Sequence, residues 1–372
     1  IAQFFGAGDL SKMKKAIHNR IALTLVIGVV LTVVGLIFND PILKAIGVPS
    51  DVFSEASTYL SIYFWSLIFV MIYNMGSGIL RSVGDSKRPL YFLIFSSVIN
   101  IVLDFLFVKN FGFGVAGAGY ATLIAQAISA IMVMYVLMKT EDSYKVVLKD
   151  IKFDKEILLK IIKIGLPTGF QQSIVSLSNV IVQSYINVYG ASVIAGYSVT
   201  IKIDGFVNLP LQAFNMAITT FVGQNIGAKQ YNRVKKGAYI TTFLAMVTIG
   251  FFVVIMYFFG RDFIALFNQE KDVIDAGRLM QLTFLPFYIF LPINQVINGV
   301  LRGAGRSAVP MYVMIFSFVF LRQIYLFLVT KVTSDVVYVF LGWPTTWVVC
   351  SLIFIVYFFK VQWLPQEKGA EA

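Results

Sequence analysis

Apolar residues along this chain gather in blocks of about twenty, separated by short polar gaps. A helix of that length crosses the hydrocarbon core of a bilayer, so each block predicts a spanning helix. Ten blocks are read, over 17–38, 57–80, 90–108, 115–138, 160–188, 192–222, 237–259, 279–301, 309–329 and 336–359. Most are apolar all round, so helical period cannot orient them. The expected fold is an all-α membrane protein, a polytopic helical bundle.

Alternate gaps differ in charge. One set carries Lys12, Lys14, Lys15 and Arg20; Arg81, Lys87 and Arg88; the lysines from Lys139 to Lys163; Lys229, Arg233, Lys235 and Lys236; Arg302 and Arg306; and Lys360 and Lys368. The other set holds only Lys44, Lys109, Arg261, Lys271, Arg278 and Lys331. An excess of basic residues marks the cytoplasmic side, so the C-terminus is expected there, in a bacterial cytoplasmic membrane. The longest polar stretch lies between the fourth and fifth blocks. It divides the chain into an N-terminal lobe (1–138), a cytoplasmic linker (139–159), a C-terminal lobe (160–360) and a tail (361–372).

The chain also repeats itself at an offset of 221 residues, without a gap. Gln3 to Ala7 falls on Gln224 to Ala228, and Gly78-Ile79-Leu80-Arg81 on Gly299-Val300-Leu301-Arg302. Gly84, Ser86, Pro89, Tyr91, Phe95 and Ser96 meet Gly305, Ser307, Pro310, Tyr312, Phe316 and Ser317. Basic gaps fall on basic gaps, so the two copies face the same way, as a parallel repeat. Two helices precede the motif in the second copy and none in the first. The expectation is ten helices of a twelve-helix design, in two parallel six-helix lobes.

Composition narrows the function. Apolar residues make up 58% of the chain, charged residues 13%, and mean hydropathy is +0.81. The net charge of +11 sits in the gaps between spans, which speaks against nucleic acid and for membrane lipid. A single cysteine, Cys350, and a single histidine, His18, leave no disulfide framework and no Cys/His zinc cluster. His18 lies in a basic stretch at a membrane edge and reads as an interfacial residue. Gly112-Phe113-Gly114-Val115-Ala116-Gly117 has the spacing of a dinucleotide fingerprint but no βαβ unit around it, so helix packing by small residues is the better account. No enzyme is expected, and no cofactor.

Ionisable groups inside spans are costly and usually functional. Four remain after the gaps are removed: Asp104, Lys202, Asp204 and Arg322. Asn100 precedes Asp104 by one turn on the same face, and a carboxylate beside an amide oxygen suits Na⁺ or a proton. The repeat places Leu321 and Tyr325 at the equivalent positions, so the pair belongs to one half only. In the second half Gln171, Gln172, Asn179, Gln183, Lys202, Asp204, Gln295 and Asn298 form a polar set. These residues either join helices or line a substrate cavity, and both readings stand.

The motifs Gln3-Phe4-Phe5-Gly6-Ala7-Gly8, Phe221-Val222-Gly223-Gln224-Asn225-Ile226-Gly227-Ala228, Gly165-Leu166-Pro167, Gly117-Ala118-Gly119-Tyr120-Ala121-Thr122 and the paired Leu-Arg-x-x-Gly loops carry a resemblance. The chain resembles multidrug and toxic compound extrusion (MATE) transporters of the DinF-like branch, from their third helix onward. The resemblance implies a V-shaped pair of lobes that rock between inward- and outward-open states. It implies a monomer that exports organic, cationic and amphipathic compounds in exchange for Na⁺ or H⁺. It maps a cation site onto Asn100, Asp104 and Thr122. The glutamate that some members carry on the seventh helix has no counterpart here; Gln171 and Gln172 lie near that stretch. A lipid-linked precursor flippase of the same superfamily is the alternative, and a membrane-embedded enzyme a remote one.

Overall fold

The first long helix begins where Asp9 accepts the backbone N–H of Lys12 at 3.0 Å and pairs with its ammonium at 2.9 Å. The computed structural model describes residues 1–364; the end of the tail, with Lys368, lies outside the described residues. These residues contain no strand. They divide into two compact units, Ile1–Ile161 and a second that begins at Ile162.

The first unit holds a short helix α1 (Ala2–Gly6), then α2 (Leu10–Ala45), α3 (Ser50–Ser82), α4 (Lys87–Asp104) and α5 (Gly114–Lys139). α4 continues into one π-helical stretch, Phe105–Asn110. α2 has 36 residues and so is about 54 Å long, well beyond a hydrocarbon core of about 30 Å. Small residues let the helices approach: a Cβ on Gly28 would lie 3.2 Å from Ile68, and one on Gly119 3.2 Å from Ile62. On α4 only Pro89, Phe92 and Ser96 are buried, a single stripe, while Leu93, Ile94, Val98, Ile101 and Val102 are exposed. Such a surface suits lipid rather than water.

α6 (Lys155–Ile186) starts in the first unit and carries the chain into the second. There follow α7 (Ala191–Gly227), α8 (Tyr231–Ala265), α9 (Lys271–Phe284), α10 (Phe290–Gly303), α11 (Ala308–Ile315), α12 (Arg322–Val332), α13 (Val336–Phe340) and α14 (Gly342–Lys360). A second π-helical stretch, Phe316–Leu321, joins α11 to α12. α7 is central, packing against α8, α9 and α10.

Among the described residues, seven helices are long and apolar enough to cross a membrane, or eight with the bent α9–α10 pair. α6 and α7, with 32 and 37 residues, have the length but are not among these seven. The block expected as one helix over 279–301 is instead two, with a bend of 59°. Pro286 has no N–H for the carbonyl of Leu282, so the helix ends in a 3₁₀ turn, Leu285–Phe287, and restarts.

Both copies of the repeat end their helices alike. In the first, the N–H of Asp85 bonds to the carbonyl of Leu80 at 3.0 Å; in the second, that of Arg306 bonds to Leu301 at 2.8 Å. These six-to-one bonds need a left-handed residue before them, supplied by Gly84 (φ 98°) and Gly305 (φ 79°).

Candidate functional site

Asp104 is the last residue of α4, where the backbone passes from α- to π-helix. The N–H of Phe111 reaches back five residues, to Leu106, at 2.9 Å. Such single π turns recur at functional sites, because the extra residue redirects side chains. Asp104 Oδ1 is shielded and has no hydrogen-bond partner, and the same holds for Asn100 Nδ2 one turn earlier. Thr122 lies on α5, which packs along both α4 and the π stretch, partly buried. Among the described residues no hydrogen bond joins it to Asp104. The face thus carries shielded polar atoms without partners, which are expensive unless an ion, a proton or water meets them.

In the second unit the polar set separates into small groups. Gln171 and Asn298 are both buried and turn their amide nitrogens to Met314 Sδ, at 2.8 and 3.2 Å, leaving Gln171 Oε1 and Asn298 Oδ1 without partners. Asn215 donates to the carbonyl of Gln295 at 2.7 Å and accepts from Arg302 at 3.4 Å. Gln183 donates to Asn187 at its own helix end, and Gln172 is exposed. Lys202 is exposed and does not meet Asp204.

Arg322 is 2% exposed, the largest fully buried side chain among the described residues. Its guanidinium donates to Asn179 Oδ1 at 3.0 Å and Thr346 Oγ1 at 3.1 Å, and it lies 5.0 and 5.5 Å from the ring centres of Phe318 and Trp343. Cation–π contact and two neutral acceptors hold this charge. An aromatic series leads on from it: Trp343 to Phe284 at 5.7 Å, Phe284 to Trp347 at 5.2 Å, Trp347 to Tyr288 at 5.6 Å. The series ends at Asp204, whose Oδ1 accepts the Tyr288 hydroxyl at 2.7 Å while Oδ2 accepts Asn208 Nδ2 at 3.0 Å. Tyr288 takes its place because the proline break brings it to the bend. Sequence reasoning missed it: a tyrosine in an apolar block reads as an interface aromatic, and Pro286 was the signal for the break.

A cavity of about 340 Å³ lies between α7 and α8, lined by Ile203, Phe206, Val207, Phe252, Met256 and Phe267 among others. It is apolar, and none of the polar candidates lines it. Gly117 packs against the backbone of Phe107, 3.1 Å from where its Cβ would stand, so the glycine run serves helix packing. Among the described residues no group of three or more His, Cys, Asp or Glu could hold a metal.

The MatE family model matches residues 1–106 and 167–328, one stretch in each unit. The probable multidrug resistance protein YoeA of Bacillus subtilis is 30% identical over 376 residues, covering 99% of this chain and 81% of that protein. The probable multidrug resistance protein NorM of Thermotoga maritima is 27% identical, over 85% of this chain and 69% of its own. The multidrug export protein MepA of Staphylococcus aureus is 24% identical, over 84% and 70%. In fold, the chain is similar to a MATE solved in the bent conformation (TM-score 0.88, 24% identity, 96% of this chain and 80% of that one). It is similar too to a MOP superfamily transporter from Pyrococcus furiosus described as having a binding pocket of reversed polarity (TM-score 0.90, 23% identity, the same shares). The chain belongs to the MatE family, the MATE multidrug efflux transporters.

Proposed function

We propose that this chain is a cation-coupled antiporter that exports organic, cationic and amphipathic compounds across a bacterial cytoplasmic membrane. Entry of Na⁺ or H⁺ drives export, with Asp104, Asn100 and Thr122 as the coupling site. α6 and α7 complete ten spans, the C-terminus is cytoplasmic, and a single copy acts by rocking of its two lobes. The observation that carries the reading is Asp104 Oδ1, shielded in a spanning helix at an α-to-π transition with no hydrogen bond. A carboxylate left so at membrane depth is stabilised by taking up a cation.

The precursor flippase would recognise an anionic headgroup through basic side chains. Arg322 speaks against that role, because its charge is enclosed by Asn179, Thr346, Phe318 and Trp343.

The test is efflux of an organic cation such as ethidium from vesicles holding the purified chain, under imposed Na⁺ or pH gradients. Asp104→Asn should abolish the acceleration by the effective gradient. Undiminished coupling to both gradients would overturn the assignment.

A further inference from the structure

The chain leaves α5 at Lys139 and then folds back on itself within the first unit. The N–H of Val146 bonds to the carbonyl of Leu137 at 2.8 Å, which returns the chain to the last apolar residues of α5. The next N–H, of Val147, bonds to His18 Nε2 at 3.0 Å, and the carbonyl of Asp154 accepts from Asn19 Nδ2 at 2.8 Å. Both ends of residues 147–154 are thus tied to neighbouring positions on α2. Those positions stand just before Arg20, after which α2 carries no charge from Ile21 to Asn39. α5 carries none from Gly114 to Met138. Both helices are long and apolar enough to span a membrane, and the segment lies where each passes from charged end to apolar run.

Along this segment the side chains sort in two directions. Tyr144 and Val146 are buried in the core of the unit. Val147, Leu148 and Phe153 are exposed, the last two at 62% and 50%. Lys145, Lys149, Lys152 and Lys155 are exposed as well, and none of them belongs to an ion pair among the described residues. Several acids nearby are already engaged. Asp142 accepts from Thr140 Oγ1 at 2.8 Å, Asp154 pairs with Lys15 at 3.3 Å, and Glu156 pairs with Lys160. Glu141 and Asp150 are left, so the unpaired charge of the segment is positive.

We propose that residues 145–155 are a surface anchor for an anionic phospholipid leaflet on the basic side of the chain. Leu148 and Phe153 enter the acyl region, and the four lysines meet headgroup phosphates. Large apolar side chains held at the membrane edge are better solvated by lipid than by water. Lysines interleaved with them are complementary to anionic headgroups, each strengthening attachment about fivefold. Their long stems let the ammonium stay among headgroups while the neighbouring apolar residues lie deeper. A soluble partner would meet the headgroup layer before it met Leu148 or Phe153. Attachment of the segment does not depend on the antiporter reading.

The experiment is nitroxide labelling of the full chain in vesicles of phosphatidylglycerol and phosphatidylcholine. Cys350 is the single cysteine and is 0% exposed, so the reagent selects an introduced one. Labels at Leu148→Cys and Phe153→Cys should be relaxed more by oxygen, which enters lipid, than by a water-soluble nickel complex. A label at Asp150→Cys should show the reverse. Replacing Lys145, Lys149, Lys152 and Lys155 together by Gln should move the first two labels toward water, as should vesicles of phosphatidylcholine alone. The double variant Lys235→Gln, Lys236→Gln, in another basic gap, removes charge elsewhere and should leave them in place. Nickel relaxation as strong at 148 and 153 as at 150 would overturn the proposal. So would labels that stay equally deep in the four-lysine variant. Labels that leave water only when a soluble protein fraction is added would overturn it too, in favour of a protein partner.

Discussion

Gly84 and Lys229 occupy positions of the same kind and resolve them differently. Each follows a helix with its backbone in the left-handed region, at φ 98° and φ 57°. Lys229 is the counterpart, at an offset of 221, of Gly8 (φ 68°), and both are followed by a six-to-one bond: Asp9 to Phe4 at 3.0 Å, Gln230 to Asn225 at 2.8 Å. A residue with a Cβ is disfavoured there by about 1–2 kcal/mol. Nothing lies within 4 Å of a Cβ built on Gly84, so Gly84→Ala isolates the backbone cost. Its unfolding midpoint should fall by the equivalent of about 1 kcal/mol, and Lys229→Gly should raise it. A second residue-scale case is Asp154, which caps α6 by accepting the N–H of Ile157 at 3.1 Å and pairs with Lys15 at 3.3 Å. The Ile157 amide first, then Lys15, hold its carboxyl below the usual carboxylate range. A lowered folded value stabilises above the unfolded value and is lost as pH falls through the folded one. A lower protection factor for the Ile157 amide, its exchange set against that of an unstructured amide at the same pH, is therefore expected only on acidification, and at neutral pH in Asp154→Ala.

At the scale of elements, crossings are set by small residues. A Cβ on Gly196 of α7 would stand 2.7 Å from Gly277 N and 2.8 Å from Val273 O of α9, backbone atoms that cannot turn aside. Thr200 Oγ1 bonds to Gly277 O at 3.1 Å across the same contact. Gly196→Ala should cost about 1–3 kcal/mol by overpacking, read as a lower melting temperature in detergent. The helical blocks themselves were legible because lipid demands long apolar runs. What hydropathy cannot show is where such a run breaks. Pro286 sits among residues as apolar as any other, and a π stretch adds one residue without changing composition. Tyr288, Trp343 and Trp347 were hidden for the same reason. Asp104 and Asp204 were legible as charges out of place, but not that one would lack partners while the other had two.

For the molecule as a whole, the repeat read along the chain reappears as the same hydrogen bonds at the same offsets. The polar stretch after α5 is less of a plain connector than its composition suggests. Tyr144 and Val146 are buried in the first unit's core with Met13 and Ile17. His18, 5% exposed, accepts the N–H of Val147 at Nε2 (3.0 Å), so its Nδ1 carries the hydrogen and donates to Lys14 O at 2.8 Å. Asn19 adds a bond to the carbonyl of Asp154 at 2.8 Å. The lone histidine is thus a clasp on this segment rather than a bare interfacial residue. His18→Phe keeps the bulk and removes the acceptor, and should open residues 144–154 to proteolysis while the spanning helices stay protected.

The two π stretches fall at places that the offset of 221 does not relate: 105–110 in the first copy and 316–321 in the second. One extra residue rotates everything beyond it by about 100° around the helix axis. Asn100 and Asp104 precede their stretch, whereas Leu321 ends the other and Tyr325 follows it, turned so that its hydroxyl reaches Tyr338 O at 2.9 Å. The copies therefore agree in count but not in azimuth. A carboxylate grafted at Tyr325 would point toward a different neighbour, so aligned positions of the two halves are not interchangeable parts.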